Sequence, residues 1–128
     1  MADTEKITIN LSVVDLGKID LMIDQGFYSS RTDLIRTAIR EKLATHSRVV
    51  EEAIIKKSAG IGIMHYSKKD LEKFLETGEK KSITVVGLFS LGNEITPELA
   101  RETIESIRVY GVFQASSKVK DALKDRIK

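Results

Sequence analysis

Apolar and polar side chains alternate from Lys6 to Ser12. An alternation with a period of two residues is typical of a half-buried β-strand, so we predict one short strand here. No second strand pattern follows within residues 1–50, and a single strand cannot pair its own backbone N–H and C=O groups. We therefore predict that this strand pairs with the same strand of a second chain, in an intertwined homodimer. The apolar positions of the alternation are Ile7, Ile9 and Leu11.

Two helices are predicted to follow the strand. Ser12 and Asp15 fit a variant of the capping box, with Asp in place of Glu three residues after the cap, and Gly26 is a suitable stop. Ser30 and Asp33 repeat this spacing and predict the start of the second helix. Two helices of this length bury too little apolar surface to be stable alone. Their apolar positions are Leu16, Ile19, Met22 and Ile23, then Leu34, Ile35, Ala38, Ile39 and Leu43, and the second helix could run on through Val49, Val50, Ala53 and Ile54.

The composition of the chain changes near residue 58. Six of the eight glycines and the only proline lie beyond this point, and short β-like runs replace the helical pattern. We place a boundary within residues 57–60. The sequence therefore predicts two domains, residues 1–57 and residues 58–128.

An internal repeat of 24 residues runs through the second half. The pattern Ile-x-Val-x-Gly-x-Phe occurs at residues 83–89 and again at residues 107–113. Each copy is interpreted as a strand followed by a helix. Repeated units of this kind bury their apolar faces against each other or against a partner chain. Further matches pair Ile95 with Val119 and Leu99 with Leu123, and a weaker earlier copy contains Leu71 and Leu75.

The overall composition narrows the class of protein. The chain has 128 residues, of which 41% are apolar and 31% are charged, as in a soluble globular protein. It has no Cys, which excludes disulfides, thiolate metal sites and cysteine nucleophiles. No apolar run approaches the ~20 residues of a membrane span, and the polar N-terminus is unlike a secretory signal. We therefore expect a cytoplasmic protein with no membrane partner.

The net charge of +2 is compatible with nucleic acid but does not argue for it. Residues 1–50 carry seven basic and seven acidic side chains, so a DNA-binding surface there must come from local arrangement. The polar face of the predicted strand offers one, because Lys6, Thr8 and Asn10 lie on it together. In a ribbon of two antiparallel strands from two chains, this face presents six polar side chains to the DNA major groove.

Each of these side chains has a matching base edge. Lys donates to guanine O6 and N7, Asn pairs with adenine N6 and N7, and Thr bonds to a base or touches a thymine methyl. The start of the second helix is a candidate phosphate site, since its free N–H groups and dipole at Ser29 and Ser30 suit an anion beside Arg31. Taken alone, the polar strand face is more simply the solvated face of an edge strand. The exposed strand, the two capped helices and the regular spacing of the apolar residues together favour the ribbon of two chains.

These segments resemble the ribbon-helix-helix family, the Arc/MetJ/CopG class of repressors. The resemblance covers about residues 5–47 and rests on KITINLS at residues 6–12, the helix to Gln25, and GFYSSRTDLIR at residues 26–36. It implies an obligate dimer whose β-ribbon enters the major groove. The expected fold class is therefore α+β: a swapped ribbon with two helices, then a small C-terminal α/β domain with strand-helix repeats.

The resemblance also implies residue roles. By position, Lys6, Thr8 and Asn10 match the base-reading strand residues, and Gly26 matches the turn. One departure is Lys rather than the frequent Arg at position 6, and Lys lacks the planar fork that reads guanine bidentately. The residues that match the phosphate-clamping helix start are Ser29, Ser30 and Arg31.

Other chemistry finds little support in the sequence. Nickel-responsive members of the class have a C-terminal effector domain with His and Cys ligands, whereas this chain has only His65 there and no Cys. We therefore expect no metal and no cofactor. Gly87 and Gly111 lack the spacing of a phosphate-binding loop. They occupy the same position in the two copies of the repeat, which favours a packing role. No Ser/His/Asp or paired-carboxylate constellation stands out, so we predict a non-enzyme.

Three functions remain open on the sequence. The first is a transcriptional regulator, expected to be a repressor, that binds double-stranded DNA as a homodimer and associates further through its C-terminal domain, with an unidentified small-molecule effector as an option. The second is an antitoxin that binds operator DNA and covers a toxin with its C-terminal part. The third, weaker reading is an architectural DNA-binding protein. The ordered character of residues 60–128 favours the regulator over the antitoxin.

Overall fold

The fold follows from a computed structural model that describes residues 4–128. It is a mixed α/β architecture with six helices and three strands in the described range. The chain divides into the N-terminal unit, Lys6–Glu52, and the C-terminal unit, Ala53–Lys128 with residues 4 and 5. No helix among residues 4–128 is both long and apolar enough to cross a bilayer. The elements are α1 (Val13–Asp24), α2 (Arg31–Thr45), α3 (Ser47–Lys56), β1 (Gly60–Tyr66), α4 (Lys68–Thr77), β2 (Lys81–Leu91), α5 (Pro97–Thr103), β3 (Ile104–Gln114) and α6 (Ser117–Ala122).

Side-chain caps start the first two helices where the sequence predicts them. Ser12 Oγ accepts the backbone N–H of Asp15 at 3.1 Å, at the first turn of α1. Ser30 Oγ accepts the backbone N–H of Asp33 at 3.0 Å, at the first turn of α2. Each bond satisfies one of the donors that a helix start leaves without an intrahelical acceptor.

The first helix ends at the predicted glycine. Gly26 has a φ of 85°, in the left-handed region that glycine enters without steric cost. Its N–H donates to the Ile23 carbonyl at 3.0 Å, and the N–H of Phe27 donates to the Met22 carbonyl at 3.1 Å. These two bonds form a Schellman motif, which turns the chain away from the helix axis.

The second helix does not run on as a single element. α2 ends at Thr45, and His46 leaves helical geometry at φ −103° and ψ 16°. A separate helix, α3, begins at Ser47. The apolar pattern that continues to Ile54 is therefore divided between two helices.

The three strands form a parallel sheet in the order β1-β2-β3. The repeat is visible directly in its register, because each position of the Ile-x-Val-x-Gly-x-Phe pattern pairs with its own copy. Ile83 lies beside Ile107, and Gly87 lies beside Gly111. β1 adds the earlier strand, with Gly62 beside Gly87. The sequence repeat thus corresponds to neighbouring parallel strands.

The 24-residue spacing does not extend into the helices, which corrects the predicted matches there. α5 begins at Pro97 and α6 begins at Ser117, only 20 residues later. The physical reason is that the loop before α5 is longer than the loop before α6. The matched residues of the two later copies are nevertheless buried, whereas Leu75 of the earlier copy is 45% exposed. The match therefore reflects shared apolar periodicity rather than equivalent positions. Ile95 precedes α5 while Val119 is inside α6, and Leu99 is inside α5 while Leu123 follows α6.

The core of the C-terminal unit lies between one face of the sheet and the helices α4, α5 and α6. Aromatic rings contribute much of it: Tyr66 meets Phe74 and Phe89 edge-on at 5.2 and 5.6 Å between centroids. Phe89 stacks on Phe113 at 5.6 Å. Such pairs add to the stabilisation that area burial alone provides. The buried cluster comprises Leu71, Ile83, Val85, Phe89, Leu91, Ile95, Leu99, Ala100, Ile104, Ile107, Val119 and Leu123.

A row of three glycines crosses the sheet at one level. Gly62, Gly87 and Gly111 have φ values of 111°, 135° and 129°. A Cβ at Gly87 would collide with the Gly62 carbonyl oxygen, and a Cβ at Gly111 would collide with the Gly87 carbonyl oxygen. Side chains are therefore excluded by close backbone approach, which supports the predicted packing role of Gly87 and Gly111.

The opposite face of the sheet, which we call the open face, is partly apolar. On it, Ile61 and Ile63 of β1 are 73% and 57% exposed. The outer edge of β1 pairs with no other strand in residues 4–128, whereas the outer edge of β3 is bridged at Ile107 by Ile127. The C-terminal unit therefore has an unprotected strand edge beside exposed apolar side chains.

Candidate nucleic-acid interface

The segment before α1 carries the predicted base-reading residues. Lys6, Thr8 and Asn10 are all exposed. In the single chain the segment forms no strand, since none of the three strands in residues 4–128 lies beside it to supply ladder hydrogen bonds. The predicted pairing with the same segment of a second chain stays a prediction. The intervening apolar residues are exposed as well, at 73% for Ile7, 56% for Ile9 and 43% for Leu11.

Exposure of apolar side chains extends over the whole N-terminal unit. No residue of α1, α2 or α3 is buried. Twelve of the eighteen large apolar residues that are exposed within residues 4–128 belong to Lys6–Glu52. A soluble domain does not leave this much apolar surface in water, so the unit requires a further covering surface.

The start of α2 brings Ser29, Ser30 and Arg31 together. Ser30 caps the helix, and Ser29 donates both its backbone N–H and its hydroxyl to Asp33 Oδ2, at 3.0 and 3.2 Å. The N–H groups of the first two helical residues, Arg31 and Thr32, have no intrahelical acceptor and point along the dipole. The helix start thus offers backbone donors to an anion, while Asp33 places a carboxylate nearby.

Arg31 is already paired in this structure. Its Nε and Nη2 donate to Asp20 Oδ1 and Oδ2, each at 2.8 Å, which is a bidentate ion pair between α2 and α1. The Arg31 hydrogen bonds lower the pKa of Asp20 below its ordinary value, and the pairing raises the pKa of Arg31. Both side chains are about half exposed, so an incoming phosphate can compete with Asp20 for the guanidinium.

Asp20 is a residue that sequence reasoning missed. Eleven positions separate it from Arg31, so no helical spacing or capping pattern connects the two. The sequence signalled only that the first helix carries three acidic residues, of which Asp20 is one. Its contact with Arg31 depends on how α1 and α2 pack.

His65 has a structural partner on the open face of the sheet. Its Nδ1 lies 2.7 Å from Ser90 Oγ on the neighbouring strand. Within residues 4–128, no group of three or more His, Cys, Asp or Glu side chains is placed to hold a metal ion. His65 therefore has a hydrogen-bonding partner on the neighbouring strand.

A comparison with protein families gives one match. The sequence matches the Ribbon-Helix-Helix transcriptional regulator family over residues 2–120, nearly the whole chain. Comparisons with curated proteins and with solved structures found no match. The matched range includes both the N-terminal helices and the three-stranded sheet. The chain belongs to the Ribbon-Helix-Helix family of DNA-binding transcriptional regulators.

Proposed function

We propose that the protein is a sequence-specific repressor that reads the major groove with a β-ribbon made by two chains. One observation carries the proposal: the N-terminal unit buries no helical residue of its own, while an alternating apolar segment stands exposed before α1. A second copy supplies both a strand partner and an apolar cover. Dimerisation and DNA recognition therefore belong to the same segment.

The residue roles follow from the alternation. When Ile7, Ile9 and Leu11 face the shared core, Lys6 and Asn10 point to the opposite side with Thr8. There they reach base edges in the groove. Ser29 and Ser30 position a phosphate at the start of α2, and Arg31 exchanges Asp20 for that phosphate on binding.

The proposed domain organisation is a DNA-binding and dimerisation domain at residues 1–57 and an oligomerisation or effector domain at residues 58–128. Exposed Ile61 and Ile63 beside the open edge of β1 support association between C-terminal domains. A fragment of residues 1–57 should then be dimeric and bind a single site weakly. The full chain should form a dimer of dimers and bind adjacent sites cooperatively. Equal stoichiometry of the two would remove the oligomerisation role and favour ligand sensing.

An antitoxin is the alternative within the same family. The buried aromatic core of the C-terminal unit supports a folded regulatory domain rather than a tail that orders on a toxin. Limited proteolysis of the free protein separates the two functions. Rapid loss of residues 60–128 would favour the antitoxin, and resistance would favour the repressor.

The experiment that tests the proposal is genome-wide mapping of bound DNA in cells, followed by a footprint of the strongest site. A repressor with a two-chain ribbon should protect half-sites related by two-fold symmetry, upstream of genes that are induced when the protein is deleted. Binding spread over the genome without a common sequence would instead support an architectural role.

A further inference from the structure

The open face of the sheet carries a cluster of positive charge. Arg108 of β3 and Lys57, just after α3, both lie over the ring of Tyr110, at 5.0 and 5.9 Å from its centroid. Thr84 is the cross-strand neighbour of Arg108 on β2. With Lys128, these residues line a cavity of 380 Å³. We refer to these five residues as the basic cluster.

None of the five side chains that line the basic cluster bears a carboxylate. Lys57, Arg108 and Lys128 take part in none of the four ion pairs found within residues 4–128. Three like charges so placed repel one another, and this repulsion is relieved by a bound anion.

The surroundings of Tyr110 also favour a negative charge in the basic cluster. The Arg108 guanidinium, and after it the Lys57 ammonium, hold the pKa of the Tyr110 phenol below its ordinary value. Both cations therefore favour negative charge at the centre of the cluster. Nearby, the Thr84 hydroxyl is a neutral donor that an oxyanion can use.

We propose that the basic cluster binds a phosphate group. Arg108 offers the planar fork that pairs with two phosphate oxygens, and Lys57 and Lys128 add point charges. Three positive charges match a doubly charged phosphate better than a singly charged carboxylate. The phosphate belongs either to a small phosphorylated molecule or to the DNA backbone, and only the second source rests on the function proposed above.

Two titrations of the full-length protein test this assignment. In the first, inorganic phosphate replaces chloride at constant ionic strength while amide NMR shifts are followed without DNA. We expect saturable shifts at Thr84, Arg108 and Tyr110, and at least about tenfold weaker binding in Arg108→Gln and in Lys57→Gln. In the second, the salt dependence of binding to a non-cognate duplex is measured. A DNA-backbone contact predicts a slope that falls by roughly one unit in each variant.

The matched control is Lys118→Gln, which removes an exposed positive charge from α6, outside the cluster. It should change neither titration. Because Lys57 lies outside the strands, its variant keeps the test valid if Arg108→Gln unfolds the sheet. A saturating phosphate response identifies a small-molecule site, and a changed DNA slope alone identifies a backbone contact. If both cluster variants match Lys118→Gln in both titrations, the proposal is wrong.

Discussion

The two units of this chain obtain their stability in different ways. The C-terminal unit surrounds its own core, in which Phe89, Leu71 and Ile104 are completely inaccessible to water. The N-terminal unit has capped helices and an ion pair between them, but no helical residue in its interior. Helical caps and exposed ion pairs contribute little compared with apolar burial.

This difference indicates which unit needs a second chain in order to fold. A parallel sheet with helices on one face buries a core within one chain, because each strand-helix unit packs against the next. A helix pair that follows a lone extended segment is incomplete, because its apolar face and its backbone lack partners. The same incompleteness leaves a polar strand face available for DNA, so dimerisation and recognition are coupled in this account.

The largest expected effect comes from Ile9→Asn. In a single chain Ile9 is more than half exposed, so the substitution would change little. In a two-chain ribbon it places an amide in the shared core, and the N-terminal unit should unfold and lose its dimer. Analytical ultracentrifugation and circular dichroism measure both effects. Ile55→Asn, at a more exposed position in α3, is the control and should remain dimeric.

The second prediction concerns the core of the C-terminal unit. Gly111→Ala forces a side chain into the left-handed region and against the Gly87 carbonyl, so the C-terminal unit should lose about 2–4 kcal/mol of stability. Denaturant unfolding measures this loss. Gly17→Ala in α1 is the matched control, because a Cβ added there would have no atom within 4 Å. This substitution should instead stabilise the N-terminal unit by about 0.5–1 kcal/mol. Equal effects of the two changes would argue against the glycine row as a packing device.

The third prediction concerns base recognition by Asn10. Asn10→Ala should cost about 1–3 kcal/mol on the cognate operator and little on random DNA, because the lost interaction is with a base edge. Folding should be unchanged, since the side chain is exposed. Binding titrations on the two duplexes and a thermal melt measure these quantities. An unchanged ratio of specific to random affinity would remove Asn10 from the base-reading set.

The smallest effects are expected at the ion pair between the helices. Arg31→Ala should weaken binding equally on all sequences and reduce the salt slope by roughly one unit. Asp20→Asn frees the guanidinium and should tighten binding to both duplexes, by about threefold. The double variant should show no such gain. A gain that persists without Arg31 would mean that Asp20 acts through its own charge rather than through the pair.

The sequence predicts local structure better than contacts between elements. The helix starts at Ser12 and Ser30, the stop at Gly26 and the strand repeat around Gly87 are all present, because each depends on residues a few positions apart or on strand periodicity. The end of α2 at Thr45 and the unequal loops before α5 and α6 were not predictable in this way. The pairing of Arg31 with Asp20 and the basic cluster around Tyr110 depend on packing between elements, and no local pattern encodes either one.

Hydrogen exchange of the full chain over a range of protein concentrations tests the central claim most directly. If the N-terminal unit folds only as a dimer, protection of the amides in α1 and α2 should decrease as the protein is diluted below its dimer dissociation constant. Amides of the central strand β2 should keep their protection, because their partners lie in the same chain. Equal protection of α1 and α2 in a solution where the mass is that of a monomer would contradict the account.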